Sequence, residues 1–379
     1  MTYPMHKADD LLGHHKSVKD NPVFNDQKLK LGIFSANCSG GVIMSNAPTD
    51  FRVTWDQQIE IAQAADQLGM EAMVPVGRWT GFGGDTNFNG VCFETYTWAA
   101  GLAQATENIG IFTTTHVPTV HPIVAAKMAT TIDHISGGRF GMNLVMGWFT
   151  PEMELFGRKQ LEHDERYEYG QDWLEFAMQL WNEEKSFDYD GKFFQSKGAH
   201  AYPKPIQEPR PALLNAGASP RGQEFSARNV DINLIALPTE EAPQYIKGIK
   251  QIANDKYERD IDVWTYCLVI VRETEKEAKA AQQAIIDQGD WSGAKNVMDV
   301  LGVQSGSFGT QIQKYQERFI AGWGGPNLVG TPEQVCEQFA ELSDAGMGGA
   351  IFGFHDYARE IKEFGDEVMP LMRKHGLRH

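Results

Sequence analysis

Residues 122–145 read PIVAAKMATTIDHISGGRFGMNLV, which is a helix, its stop signal and a strand in one sentence of sequence. Pro122 suits the first helical position, and Ile123, Val124, Met128, Ala129 and Ile132 fall on one face at near-3.6 spacing. Gly137-Gly138 ends the helix in a conformation that a Cβ disfavours, and the apolar run 140–145 then reads as a strand. The same unit recurs on both sides. Strands are predicted at 29–34, 72–76, 109–114, 140–145, 212–215, 232–235, 263–271 and 350–354. Helices alternate with them at 56–68, 95–106, 166–181, 220–228, 240–255, 274–286 and 331–345, and an amphipathic segment at 361–374 closes the chain. Alternating β and α elements imply a parallel sheet, and eight units favour a closed TIM-type (β/α)₈ barrel over a doubly wound sheet.

Three segments depart from this rhythm. Residues 1–27 are polar without period and read as an N-terminal arm on the surface or on a neighbouring subunit, leaving 28–379 as the barrel domain. Residues 187–194 carry Asp190-Gly191 between aromatic arms, a hairpin signature. Residues 287–327, with Gly, Ser, Gln, Trp291 and Trp323, read as an insertion and lid over one barrel mouth.

The 379 residues include 50 acidic and 34 basic side chains, a net charge of −16 that repels phosphate backbones and anionic lipid. Nucleic acid and membrane are therefore not expected partners. No run approaches the roughly 18 apolar residues of a membrane span, and the polar N-terminus has no signal-peptide run, so a cytoplasmic location is expected. Cys38, Cys92, Cys267 and Cys336 are scattered through apolar segments and read as buried reduced thiols. His163-Asp164-Glu165 matches no zinc spacing, and no metal is expected.

In a barrel of this kind the active site is built from loops at the carboxyl ends of the strands. The strand map places Arg78, Trp79 and Phe82 after the second strand, Thr114 and His116 at the third, and Trp148 and Glu152 after the fourth. Trp79, Phe82, His116 and Trp148 are the expected substrate pocket, and the aromatic rings and glycines with few charges in these loops suit a planar heteroaromatic cofactor better than a phosphosugar. After the fifth strand, Ser219-Pro220 reads as an N-cap and first helical residue, so free amides and the helix dipole form an anion site there. Arg166 and Tyr167, at another helix start, are suited to the same anion.

The run Ile132-Asp133-His134-Ile135-Ser136-Gly137-Gly138-Arg139 resembles the IDxxSGGR signature of the luciferase-like flavin monooxygenases, and Asn143-Leu144-Val145-Met146-Gly147-Trp148 continues it in the style of the reduced-FMN branch. Residues 38–46 and 161–167 resemble dimethyl sulfone monooxygenases; residues 81–84 are nearer pyrimidine monooxygenases. The resemblance implies that Gly77 and Arg78 flank the isoalloxazine, that Asn143 and Glu152 touch the ring or ribityl chain, and that Arg166, Tyr167 and Ser219 hold the phosphate. Thr114 and Asn143, at the ends of adjacent strands, are expected to hold dioxygen as the catalytic pair. The SGGR run itself is expected to be structural. Reduced FMN and O₂, a separate NAD(P)H:flavin reductase and a small polar substrate losing a C–S or C–N bond complete the expectation, in a homodimer or homotetramer. A deazaflavin (F420) dehydrogenase and a non-catalytic flavin-binding paralogue are the alternatives on the same barrel.

Overall fold

The computed structural model describes residues 16–301 and 309–379, with side chains described again from residue 313. Eight parallel strands form its centre: β1 (Lys30–Phe34), β2 (Ala72–Val74), β3 (Gly110–His116), β4 (Phe140–Val145), β5 (Ala212–Asn215), β6 (Ile232–Ile235), β7 (Asp262–Val271) and β8 (Gly349–Gly353). Each is hydrogen-bonded to the next from β1 to β7, β7 pairs with β8, and β8 pairs with β1, so the sheet closes on itself. All eight fall where the alternating pattern puts them. A further short strand, Asn327–Gly330, pairs with the far end of β7 and begins at the last residue of the segment read as an insertion.

Two packed layers follow from strand alternation. Val74, Phe112, Leu214, Leu234, Trp264 and Ile351 fill the barrel interior, while Leu31, Ile33, Ile111, Met142 and Leu213 meet the surrounding helices. Close approach between strands leaves no room for a side chain at Gly141, where a Cβ would come within 2.4 Å of the Phe112 ring. The strand after residue 72 is shorter than its apolar run suggests. Beyond Val74 the Asn37 side chain replaces the ladder, accepting from Val76 N–H at 2.9 Å and donating to its carbonyl at 2.8 Å. Conversely β3 runs two residues further than expected, pairing Thr115 and His116 with Leu144 and Val145.

The amino ends of the strands are sealed by satisfied charges. Arg378 makes a bidentate pair with Glu71 (2.7 and 2.8 Å), and Glu71 also accepts from Leu31 N–H at 2.7 Å, tying the C-terminus beneath β1 and β2. Arg210 and Asp231 pair in the same way beneath β5 and β6. Arg139 of the SGGR run donates to the carbonyls of Ala103, Thr106, Ile109 and Ser136, and Gly137 and Gly138 take left-handed φ of 64° and 86°; the run is structural. Residues 16–27 lie against this face, with Val18 and Val23 buried in the inner layer. The rest of the expected arm, residues 1–15, lies outside the described residues.

Two expectations change. The hairpin is formed by Phe187–Asp190 and Gln195–Ala199, so Phe193 and Phe194 sit in its turn and pack on Tyr169 rather than forming the second arm. The reading of four separate thiols fails at two of them: Cys38 and Cys92 are joined by a disulfide across 54 positions, while Cys267 and Cys336 are buried and free. An antiparallel bridge between the loops after β1 and β2 brings the pair together, and nothing local in sequence announces it.

Replacing Arg378 with Met strands the Glu71 carboxylate in a buried site and is expected to cost about 3–5 kcal/mol, whereas the double change with Glu71→Leu restores most of that loss. Denaturant unfolding of the two variants checks this; a loss below about 1 kcal/mol in the single variant would show that the clamp does not hold the C-terminus.

Candidate functional site

The carboxyl ends of the strands surround a cavity of about 610 Å³. Strand register decides which side chains reach it. Thr114 of β3 stands directly opposite Asn143 of β4, and both line the cavity. The Thr114 hydroxyl donates to the Pro75 carbonyl at 2.5 Å and accepts from Asn143 Nδ2 at 3.1 Å. Its one proton is therefore committed to the backbone, and the amide carries the remaining hydrogen-bonding capacity of the pair. Asn143 Oδ1 is buried without a partner.

Beside this pair lies a buried cation. Arg78 Nη1 meets Glu152 at 3.1 Å with both side chains no more than 3% exposed, and the other Glu152 oxygen accepts from Trp79 N–H at 2.8 Å. The guanidinium is enclosed by rings of Phe82 at 4.5 Å, Trp148 at 5.0 Å, Phe149 at 5.5 Å and Trp323 at 5.9 Å. Burial lowers the Arg78 pKa, and Glu152 acts against that shift. His116 is pushed down to about 4 by burial, with Glu152 opposing and Arg78 reinforcing the shift, so its imidazole is neutral at neutral pH. Arg78 Nε and His116 Nδ1 are both buried without a hydrogen-bond partner.

The opposite end is built for an anion. Ser219 caps the helix Pro220–Asn229 by accepting from Gly222 N–H at 3.1 Å, leaving first-turn amides at the cavity edge. Arg166 donates to the Gly147 carbonyl at 2.8 Å and keeps Nε buried and unpartnered. Burial raises the Tyr167 pKa, so the phenol remains a donor. A Cβ on Gly217 would come within 2.7 Å of the Tyr167 hydroxyl, so backbone approaches closely there.

Nine of the residues singled out from sequence line this one cavity: Gly77, Arg78, Thr114, His116, Asn143, Trp148, Arg166, Tyr167 and Ser219. Three do not. Glu152 stands behind Arg78, and Phe82, 3% exposed, stacks behind Trp148. Trp79 is 49% exposed and packs edge-on against Phe156, outside the cavity. Sequence reasoning missed Tyr266, which shares the inward parity of Trp264 and Leu268 on β7, and did not assign Trp323 to the wall. The glycines around Trp323 were a signal, since its own φ is +50° and its carbonyl accepts from the Tyr266 hydroxyl at 2.9 Å. With Tyr315 and Phe319 it makes the segment 287–327 part of the cavity wall; residues 302–308 of that segment lie outside the described residues.

A family model described as luciferase-like monooxygenase matches residues 29–348. The pyrimidine monooxygenase RutA of Acinetobacter baylyi is 30% identical over 352 residues, covering 91% of this chain and 95% of that protein. The RutA of Pseudomonas savastanoi pv. phaseolicola is 32% identical over 364 residues, covering 92% and 98%. Among solved structures, the riboflavin lyase RcaE superposes with a TM-score of 0.82 at 20% identity, covering 93% of this chain and 92% of that one. DmoA from Hyphomicrobium sulfonivorans superposes with a TM-score of 0.81 at 19% identity, covering 93% and 90%. With the barrel, the cavity and a family match over most of its length, this chain belongs to the luciferase-like monooxygenase family and is a flavin-dependent monooxygenase.

Proposed function

We propose that the cavity binds reduced FMN and O₂, and that the protein oxygenates a small polar substrate with cleavage of a C–N or C–S bond. The supporting observation is the convergence on one cavity of four buried, unpartnered polar atoms: Arg78 Nε, His116 Nδ1, Asn143 Oδ1 and Arg166 Nε. Buried polar groups without partners are costly, and a ligand that supplies the missing hydrogen bonds removes the cost. The residues fit FMN: a glycine cradle and helix start beside Arg166, Tyr167 and Ser219 suit a phosphate, and aromatic walls with amide and guanidinium groups suit a polar planar ring. When bound, reduced FMN supplies the electrons that activate dioxygen.

The chain's own residues do the rest. Arg166, Tyr167 and Ser219 hold the anionic end and fix the depth of the cofactor. Glu152 orients Arg78 and balances its charge. Asn143 presents an amide where negative charge develops on oxygen, and Thr114 positions that amide through its accepted hydrogen bond. Trp148, Tyr266 and Trp323 exclude water, and the described residues of the segment 287–327 serve as a covering wall. C–N cleavage in a cyclic amide is the favoured reaction, because the relatives that are 30–32% identical are pyrimidine monooxygenases. The reduced flavin comes from a separate NAD(P)H:flavin reductase, and the protein works in the cytoplasm as a homo-oligomer. Turnover of a panel of pyrimidines, sulfones and sulfonates with FMN, a reductase and NADH tests this reading; absence of any oxygen-dependent product, together with no binding of reduced FMN, would overturn it.

Replacing Arg166 with Ala is expected to weaken reduced-FMN binding by about 10- to 150-fold, the equivalent of roughly 1.5–3 kcal/mol for a charge-assisted contact. Unchanged affinity in a folded variant removes Arg166 from the phosphate site.

Thr114→Val keeps the shape and deletes the hydroxyl that accepts from Asn143. Flavin affinity is expected to stay within about twofold, while product per NADH falls about tenfold or more and hydrogen peroxide rises correspondingly. Thr114→Ser should restore coupling. Measuring product and peroxide in the same reaction decides the matter, and wild-type coupling in the valine variant would show that the hydroxyl has no part in it.

A further inference from the structure

We propose that Cys38 and Cys92 are a reversible redox clasp on the cavity wall, closed by hydrogen peroxide and opened by a dithiol reductant, whose closed state keeps oxygen reduction coupled to product. The loops after β1 and β2 meet at this pair, with Ser39 N–H donating to Val91 O at 2.8 Å and Phe93 N–H to Asn37 O at 3.1 Å. Asn37 joins the clasp to the cavity. Its amide holds both backbone groups of Val76 and reaches Cys92 Sγ at 3.2 Å. Gly77 and Arg78, the next two residues, are cavity wall.

The surroundings accept both redox states. The Val76 carbonyl lies 3.6 Å from Cys38 Sγ and 3.3 Å from Cys92 Sγ, so an acceptor for a thiol proton is in place when the bond is open. The Asn37 N–H faces the Cys92 sulfur. Access is asymmetric: Cys38 is fully buried, whereas Cys92 is half-buried beside exposed Val91. Cys92 is therefore the sulfur that meets the reagent. Cys267 and Cys336 are buried, and neither is bonded to another cysteine.

The chemistry balances without a further reagent. On closure the Cys92 thiolate attacks one peroxide oxygen, the O–O bond breaks, and the second oxygen leaves as water with a thiol proton. Cys38 then displaces the hydroxyl from the resulting sulfenic acid, also as water, so two thiols lose two electrons and two protons. On opening, a reductant thiolate attacks Cys92, Cys38 leaves as the thiol, and the second reductant thiol completes its own disulfide. The link to turnover rests on the oxygenase reading above: electrons that fail to reach substrate leave as peroxide beside this wall. The clasp then tightens the wall from which the leak arose.

The full chain reduced with dithiothreitol, desalted without oxygen and treated with one equivalent of hydrogen peroxide tests the proposal. Alkylation and peptide mass spectrometry are expected to find all four cysteines free before treatment, and only Cys267 and Cys336 free afterwards. The closed form should melt about 5 °C or more above the reduced form and resist protease cleavage within residues 78–91. Product per NADH should be about two- to threefold higher in the closed form, and Cys92→Ser should stay at the reduced value under both treatments. Four alkylatable cysteines after peroxide overturn the clasp. Closure with unchanged melting, proteolysis and coupling overturns its hold on the wall. Thiol count, melting and proteolysis decide the clasp without turnover, so failure to oxygenate any substrate counts against the oxygenase reading alone.

Discussion

The buried pair of Arg78 with Glu152 is the interaction around which the site is arranged. It joins the loop after β2 to the short helix after β4, in a place where neither charge meets water. Burying both charges costs desolvation, which the geometry and the surroundings of the pair must offset. Glu152 contributes by accepting from Trp79 N–H as well, and the guanidinium by lying among the faces of four aromatic rings. One of those rings, Trp323, comes from the segment between β7 and β8, so a single cation organises three separate excursions from the barrel.

The two ends of the barrel are opposites in hydrogen-bond satisfaction. At the amino ends Glu71, Arg378, Asp231, Arg210 and Arg139 have their charges or donors met by close partners, and they fix termini and loops in place. At the carboxyl ends several polar groups are held in buried positions with a bonding site left open. Both arrangements cost conformational freedom, but only the second leaves capacity to be completed by a ligand. The division between a stabilising face and a reactive face thus follows from where polar groups are paired.

Neutral His116 adds to this. Because burial outweighs the nearby carboxylate, the imidazole offers one donor and one acceptor rather than a second positive charge beside Arg78. The cavity consequently carries concentrated charge at its anion end and at one balanced pair, and mostly neutral polar or aromatic groups elsewhere. That distribution suits a ligand with one anionic tail and a neutral planar body.

The sequence by itself determined the eight strands, the helix stop at Gly137-Gly138 and the cap at Ser219-Pro220, because each depends on residues within a few positions of one another. It also located the loops that carry nine cavity-lining residues, since a barrel confines its site to the strand ends. The tertiary structure decided everything that depends on distance between remote segments. It turned Trp79 outward, set Glu152 behind Arg78, and brought Tyr266 and Trp323 into the wall. It bonded Cys38 to Cys92 across 54 positions and committed the Thr114 proton to the Pro75 carbonyl. Periodicity states which face of an element is apolar, but which atom completes a given hydrogen bond is fixed only when the closed barrel sets those elements side by side.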